Sequence, residues 1–442
     1  MKRKIYLILV CQLLAVWVSA QSIKAQKSTF IPNETNVLNT QLAAALNTKT
    51  GQTLVVWQRL TTTESVIQGR LVNAQGAPVG GVFPLSTAVG AAHPSAAYNP
   101  VRNEFMVAYD DNTNVSLRKS SVILRRLNAQ GKPVAAEAKI STDTVSVDMA
   151  NFFAKITFNP NTNAYTVVWL REISESAQAD DGTDGMVGAL VTSAGALGGP
   201  VALIQKTTIE GNRLWQPITL DLGYDPANGK LIVVFVQVIS GTNASQANYS
   251  LATLDPALNG ISASNIVKIN NAPLQLTSGF VWGADLALFR DRPGFVFYTD
   301  SGNVKRRKID LQGKLSGPGM VAFKPPKNNT KLVYPSVAFE TNAKGTRGIL
   351  IATQDAFRET GEASIWAQQL DLNCLPVGAP VRVDLTSVTN TALSSLLTPL
   401  PIKLTDSLFR FAAYYTLAEF KPPGQTFQNS GFVKLNINLT IP

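Results

Sequence analysis

The stretch HPSAAYNPVRNEFMVAYDDNTNVSLRKSSVILRRLNAQGKPVAAEAKIST, His93–Thr142, reads as four short strands separated by turns. Ser95–Tyr98 is short and apolar, and Asn99-Pro100 follows it as a turn. Glu104–Tyr109 is nearly continuously apolar, the pattern of a strand covered on both faces. Val122–Leu127 mixes apolar and basic residues. Ala129-Gln130-Gly131-Lys132-Pro133 is a tight turn, with Gly free to take a positive φ and Pro fixing one dihedral, and Ala136–Ile140 is a more polar last strand. Burial that falls from the first strands to the fourth is the profile of one blade of a β-propeller.

Most of the chain repeats this unit. The second strand recurs as Leu54–Trp57, Met106–Tyr109, Thr166–Trp169, Ile232–Phe235, Phe295–Tyr298, Ile349–Ala352 and Phe409–Tyr414, mostly ending on an aromatic. The later turn recurs at Asn73–Gly80, Asn128–Ala135, Ser193–Gly199, Asp310–Gly317 and Asp371–Gly378. The copies place six blades at about Gln41–Thr87, His93–Thr142, Phe153–Ile204, Pro217–Ile269, Gly283–Phe323 and Tyr334–Leu385. A last copy has strands expected near Leu400–Leu404, Leu408–Tyr415 and Phe432–Leu439, and lacks a fourth. Ala25–Pro32 is expected to supply it by pairing with Phe432–Leu439, closing the ring and removing its open edges. The expected fold is all-β, a seven-bladed propeller of four-stranded antiparallel blades; six blades plus a C-terminal hairpin is the alternative.

Trp57, then Ile67-Gln68-Gly69-Arg70-Leu71, then Gly76-Ala77-Pro78-Val79-Gly80 resembles the repeats of secreted bacterial β-propeller proteins. The resemblance spans nearly the whole mature chain. Its motifs are structural, so it implies a fold and brings no catalytic residues.

The first twenty residues read as a signal peptide: basic Lys2-Arg3-Lys4, apolar Ile5–Val18 and a small-residue site at Val18-Ser19-Ala20. Gln21 then opens the mature protein, a single propeller domain over 21–442 that is secreted or periplasmic. No later stretch has the ~18 apolar residues of a membrane helix. Cys374 is the one cysteine left after cleavage, so no intrachain disulfide forms. Apolar content of 45% against 15% charged residues is that of a folded chain. The net charge of +10 falls to about +7 without the leader, a modest excess read as a solvated basic surface. Attraction to acidic polysaccharide or anionic lipid is the other reading. Lys305-Arg306-Arg307-Lys308 lies in an expected third strand, where alternation puts two side chains on each face; that is no nucleic-acid stripe.

Turns joining strands one to two and three to four are short, whereas the other connections are long and varied: Arg171–Gly185, Gln205–Gln216, Asn270–Trp282, Phe357–Glu362, Thr386–Thr398 and Tyr415–Ser430. Variation on one face of a rigid scaffold marks a binding surface. Trp215 and Trp282, expected in consecutive inter-blade loops, can stack on sugar rings or anchor a protein, with Arg213 and Glu210 as polar neighbours; plugging gaps beneath the loops is the plainer role. Asp180, Asp181 and Asp184 have calcium-loop density without EF-hand spacing, a weak metal candidate. No cofactor is otherwise expected.

The chain has one histidine, His93, read as structural, which excludes a Ser-His-Asp triad, a Cys-His pair and a His-rich metal site. Two carboxylates in the central funnel would suffice for a glycosidase, but no pair declares itself. The Asn-x-Ser/Thr triplets at Asn33, Asn114, Asn243, Asn248, Asn328 and Asn438 are read as chance. The expected protein is a monomeric binding or scaffold propeller without catalytic residues, recognising an extracellular polysaccharide or protein, with no nucleic acid and no membrane span. A carbohydrate-active enzyme using funnel carboxylates is the alternative.

Overall fold

The computed structural model describes residues 22–440, except positions 36, 115–118, 142–147, 175–184, 207, 211–212, 241–245, 260–264, 271–273, 276–282, 327–330, 343–344, 357–361, 384–389, 400–407 and 422–425. Seven antiparallel sheets make seven blades, and in each the four strands lie side by side from the channel outward. Blade one is Leu38–Leu46, Thr53–Leu60, Ser65–Val72 and Pro78–Pro84. Blade two is Ala91–Asn99, Glu104–Asn114, Lys119–Asn128 and Ala138–Lys139; blade three is Asp148–Asn159, Ala164–Ser174, Gly185–Thr192 and Ala202–Lys206. Blade four has Arg213–Asp225, Lys230–Ser240, Gln246–Leu254 and Ile266–Lys268, with Thr208–Glu210 and Leu274–Gln275 added at its edges. Blades five and six are Ala284–Ala287, Gly294–Asp300, Asn303–Ile309 and Leu315–Phe323, then Lys331–Asn342, Gly345–Ala356, Glu362–Leu370 and Pro376–Arg382. Among the described residues no helix is long and apolar enough to cross a membrane.

The repeated second strands form the core because they are covered twice. Successive side chains of a strand point to opposite faces, and each face meets a different neighbouring blade. In blade three, Val167 and Trp169 pack toward blade two, while Val168 and Leu170 pack toward blade four. Seven apolar clusters result among the described residues, one for each pair of adjacent blades around the ring. Burial then falls outward, and Pro78–Pro84 is almost wholly exposed. Two indoles are fixed in the same way: Trp57 Nε1 donates to Asn39 Oδ1 at 3.1 Å, and Trp169 Nε1 donates to Asn151 Oδ1 at 2.8 Å.

The N-terminal segment closes the ring. Ser22–Thr35 pairs antiparallel with Thr426–Thr440 as the outermost strand of blade seven, with Ala25 opposite Ile437 and Ile31 opposite Phe432. Phe30 and Ile31 enter the cluster that joins blade seven to blade one. The Phe30 ring meets Tyr414 edge-on at 5.2 Å and Trp57 at 6.1 Å. From blade one, the Arg70 guanidinium covers that ring at 5.5 Å and donates to the Phe30 carbonyl at 2.7 Å.

Several boundaries differ from the sequence reading. The inner strand of blade seven is Asn390–Pro399, not Leu400–Leu404, and residues 400–407 lie outside the described residues. Its connection to the next strand is longer than the tight turns elsewhere, so counting back from Leu408 by a standard turn put the strand too late. Much of the expected loop Thr386–Thr398 is therefore strand. Likewise, the expected loop Tyr415–Ser430 is largely a long hairpin formed by Leu408–Lys421 and Thr426–Thr440. Cys374 takes the turn position that Gly76, Gly131 and Gly313 occupy elsewhere, at φ 57°, with its side chain buried in the cluster between blades five and six. Burial pushes its thiol well above the usual range, which suits a packing residue rather than a nucleophile. Asn248 is buried against Asn270, so that triplet cannot carry a glycan in the folded chain.

Phe30→Ala is expected to remove about 3–5 kcal/mol from the unfolding free energy of the mature chain, as for other buried Phe truncations, and to do so in one cooperative urea transition. Deleting Ala25–Pro32 should cost more. A truncated protein that unfolds at the wild-type midpoint would show that this strand does not close the ring.

Candidate functional site

Six of the seven inner strands carry a bulge, at the same level in all but blade four. The register slips between Thr40 and Ala43, Ala92 and Ser95, Phe152 and Lys155, Pro217 and Thr219, Val333 and Ser336, and Ala392 and Ser395. The bulge residue is left-handed at Gln41, His93, Phe153 and Tyr334, with φ near 50°, and in blade five Gly283 holds that position. A side chain with φ > 0 is uncommon outside such features. The bulge turns the next residues toward the channel and toward the adjoining blade.

Just beyond this level, the register brings one position per blade into a ring: Ala43, Ser95, Lys155, Asp221, Asp285, Ser336 and Ser395. Part of this ring is a clamp. Ser95 Oγ accepts the Ile156 N–H at 3.1 Å, and Asp285 Oδ2 accepts the Val337 N–H at 2.7 Å, each joining a blade to the next. The other carboxylate oxygen, Oδ1, accepts the Leu286 N–H at 2.7 Å, and the Ser336 hydroxyl also bonds this carboxyl. The single histidine belongs to a related clamp one turn away. The Asp110 carboxylate accepts the N–H groups of Phe153 at 2.8 Å and Ala154 at 3.3 Å and lies 2.6 Å from His93 Nδ1. His93 thus takes part in a contact between blades two and three.

The rest of the ring opens into a pocket of about 210 Å³ on the channel axis. Lys155, Asp221, Asp285 and Ser336 line it, with Leu42 from the far side and Tyr334 from the bulge. Both carboxyls keep some surface open to the channel, while protein surrounds them on their other sides. Burial raises Asp221, and the Lys155 ammonium opposes that rise. Burial raises Asp285 further, to about 7, with the negative charge of Asp221 adding to the effect and its backbone donors opposing it. Two neighbouring carboxyls in one low-dielectric site resist full ionisation. The two carboxyls therefore do not both ionise readily beside the Lys155 side chain.

The residues picked from sequence fall elsewhere. Glu210, Arg213 and Trp215 are not in a loop: Thr208–Glu210 and Arg213–Asp225 form a hairpin, with Glu210 opposite Arg213 and Thr208 opposite Trp215. The hairpin extends the inner strand of blade four beyond its bulge, at the channel end away from the turn that follows Asp225. Trp215 precedes Asp221 by six residues of bulged strand, about 15–20 Å at ~3.3 Å per residue. Trp282, Asp180, Asp181 and Asp184 lie outside the described residues. Among the described residues no cluster of three or more His, Cys, Asp or Glu side chains could hold a metal.

Lys155, Asp221 and Asp285 escaped the sequence reading, although a signal existed. Ser95, Lys155 and Asp221 each stand four residues before the residue that opens the first turn of their blade: Asn99, Asn159 and Asp225. Aligning blades on those turns puts charged residues at a position that is small or hydroxylated in the other blades.

No family model matches the chain, and no curated protein matches it. Among solved structures, the chain is similar to the parainfluenza virus 5 hemagglutinin-neuraminidase ectodomain, at 9% identity over 95% of this chain and 86% of that one, with a TM-score of 0.45. It is also similar to an N-acetylgalactosamine deacetylase from F. plautii crystallised with blood group B trisaccharide, at 10% identity over 54% of this chain and 72% of that one, with a TM-score of 0.37. At these identities and scores the likeness assigns no activity to this chain.

The protonation of Asp285 has a measurable consequence. Its folded pKa of about 7 lies above its unfolded value near ~3.9, so the folded chain retains a proton that the unfolded chain releases. The associated stability is full below about pH 4 and is lost as pH rises to about 7. Asp285→Asn removes this titration. Its Tm should fall less than that of the wild type between pH 4 and pH 8; parallel Tm–pH curves would contradict the assignment.

Proposed function

We propose that this is an exported binding propeller that takes an extracellular glycan at the axial pocket and the long-loop rim around it. The leader at residues 1–20 supports export. The observation that carries the binding reading is the Lys155–Asp221–Asp285–Ser336 ring in an open pocket on the axis. Sugar hydroxyls both donate and accept, and the ring offers both kinds of partner: a Lys donor, a carboxylate acceptor, and a hydroxyl that does either. Two carboxyls that resist joint ionisation beside a lysine favour a neutral polyol over a metal ion or an anion. A volume of about 210 Å³ lies below the ~300 Å³ at which sites for drug-sized ligands begin. It suits a chain end or a single ring, with the rest of the polymer running over the rim near Trp215.

One observation favours the enzymatic reading: a pair of neighbouring carboxyls whose protonation is pushed upward, the raw material of acid–base glycoside hydrolysis. The hydrogen bonding of Asp285 argues against it. One of its oxygens accepts the Val337 N–H of blade six and the other the N–H of its own neighbour Leu286, which fits a clamp better than a proton donor to a substrate.

Calorimetric titration of the mature chain with a polysaccharide and oligosaccharide panel tests both readings. Saturable binding should weaken about tenfold or more in Asp221→Asn and Lys155→Met, each of which removes a charge-assisted hydrogen bond. Binding that both variants leave unchanged would remove the axial pocket from the function. Product release from the same polymer, abolished in Asp221→Asn, would establish the enzyme instead.

A further inference from the structure

The basic run Lys305–Lys308 divides between two tasks. Lys305 and Arg307 share one face of the third strand of blade five. Lys305 is paired with Asp300 at 2.6 Å, and Arg307 donates to the carbonyls of Gly317 at 2.9 Å and Ile269 at 2.7 Å. Arg70 makes the same pair of contacts in blade one, donating to the Gly80 carbonyl of its own blade and to the Phe30 carbonyl of blade seven, so this face is blade-to-blade structure.

Arg306 and Lys308 point the other way, toward blade six, and line a cavity of about 350 Å³ with Arg292, Phe295, Met320 and Asn373. Arg306 is out of place there. Four residues before the turn of the third strand, the other blades carry Gly69, Leu124, Gly188, Leu251 and Ala367, small or apolar groups fit for an interface between sheets. Here an arginine only 7% exposed takes that position. Its guanidinium lies 5.0 Å over the Phe295 ring, and among the described residues its hydrogen-bond contact is a weak one, from Nη2 to Met320 Sδ at 3.7 Å. Its Nε is buried without a partner. Asp371 is near, but its Oδ1 accepts the N–H groups of Asn373 and Leu375, and among the described residues no carboxylate pairs with Arg306 or Lys308.

A buried cation that makes no ion pair is strongly unfavourable, and the nearby Asp371 offsets only part of that cost. We propose that the cavity between blades five and six is a second ligand site, which takes a single oxyanion group on a small organic body, with Arg306 and Lys308 on the oxyanion. Phe295 and Met320 face the carrier. The cavity lies beside Arg292 and Asn373, in the short turns of the two blades, on the face opposite the long loops. It is separate from the axial pocket. A sulfate ester and a uronate carboxylate share this chemistry.

Equilibrium dialysis of the mature chain against radiolabelled inorganic sulfate at constant ionic strength is the test. One saturable site is expected, weakened about tenfold or more in Arg306→Met and less in Lys308→Gln, and unchanged in Asp221→Asn. Without anion, Arg306→Met should melt at or above the wild-type temperature, because a buried charge without an ion pair has gone; should it fail to fold, Lys308→Gln, at an exposed side chain, carries the comparison. Competition by a sulfated monosaccharide and by glucuronate, with neutral glucose as control, identifies the carrier. Absence of saturable binding, or equal binding by wild type and both variants, overturns the site. Sulfate held no more weakly than either charged sugar would mark an adventitious ion only, and overturns it too.

Discussion

The pairing of Ser22–Thr35 with Thr426–Thr440 is the contact on which the other six interfaces depend. Each blade buries its second strand on both faces only when it has a neighbour on each side. An open row would leave the faces of blades one and seven in water, and the cluster of Phe30, Trp57 and Tyr414 would not form. The first residues of the domain are thus held by the last. With no disulfide to close the ring, an antiparallel ladder and a few buried aromatics do it.

Within the closed ring, the inner-strand bulge does two jobs. It sets a left-handed residue at one level of the channel, and it turns the next side chains toward the neighbouring blade. Where those are Ser95 or Asp285, they accept a backbone N–H across the interface. On the other face, Glu340 does the same for the Arg410 N–H at 2.6 Å, and burial lifts its carboxyl to about 7. A repeated frame of this kind makes departures easy to recognise. Charge appears at Lys155, Asp221 and Asp285 in the inner ring and at Arg306 in a third strand, where other blades hold small, apolar or hydroxylated groups. Since the frame itself needs no charge at those places, the substitutions are where function is sought.

The sequence determined the repeat, and the repeat determined the fold. Apolar runs such as LVVW and TVVW are too short for helices and too continuous for a half-exposed strand, so they had to be covered on both faces. Seven copies with one strand missing left the N-terminus as the only piece able to complete the ring. What sequence could not place was anything that depended on strand length beyond the repeat. Arg213 and Trp215 look like loop residues because no apolar alternation marks them, yet pairing with Thr208–Glu210 and with the strand Lys230–Ser240 makes them strand. The tertiary structure alone assembled the candidate site. Lys155, Asp221 and Asp285 lie one blade apart in sequence, and each on its own is an ordinary polar residue on an inner strand. Closing the ring brings successive blades together on one axis, excludes most of the water between them, and makes the protonation of one carboxyl depend on the charge of the next.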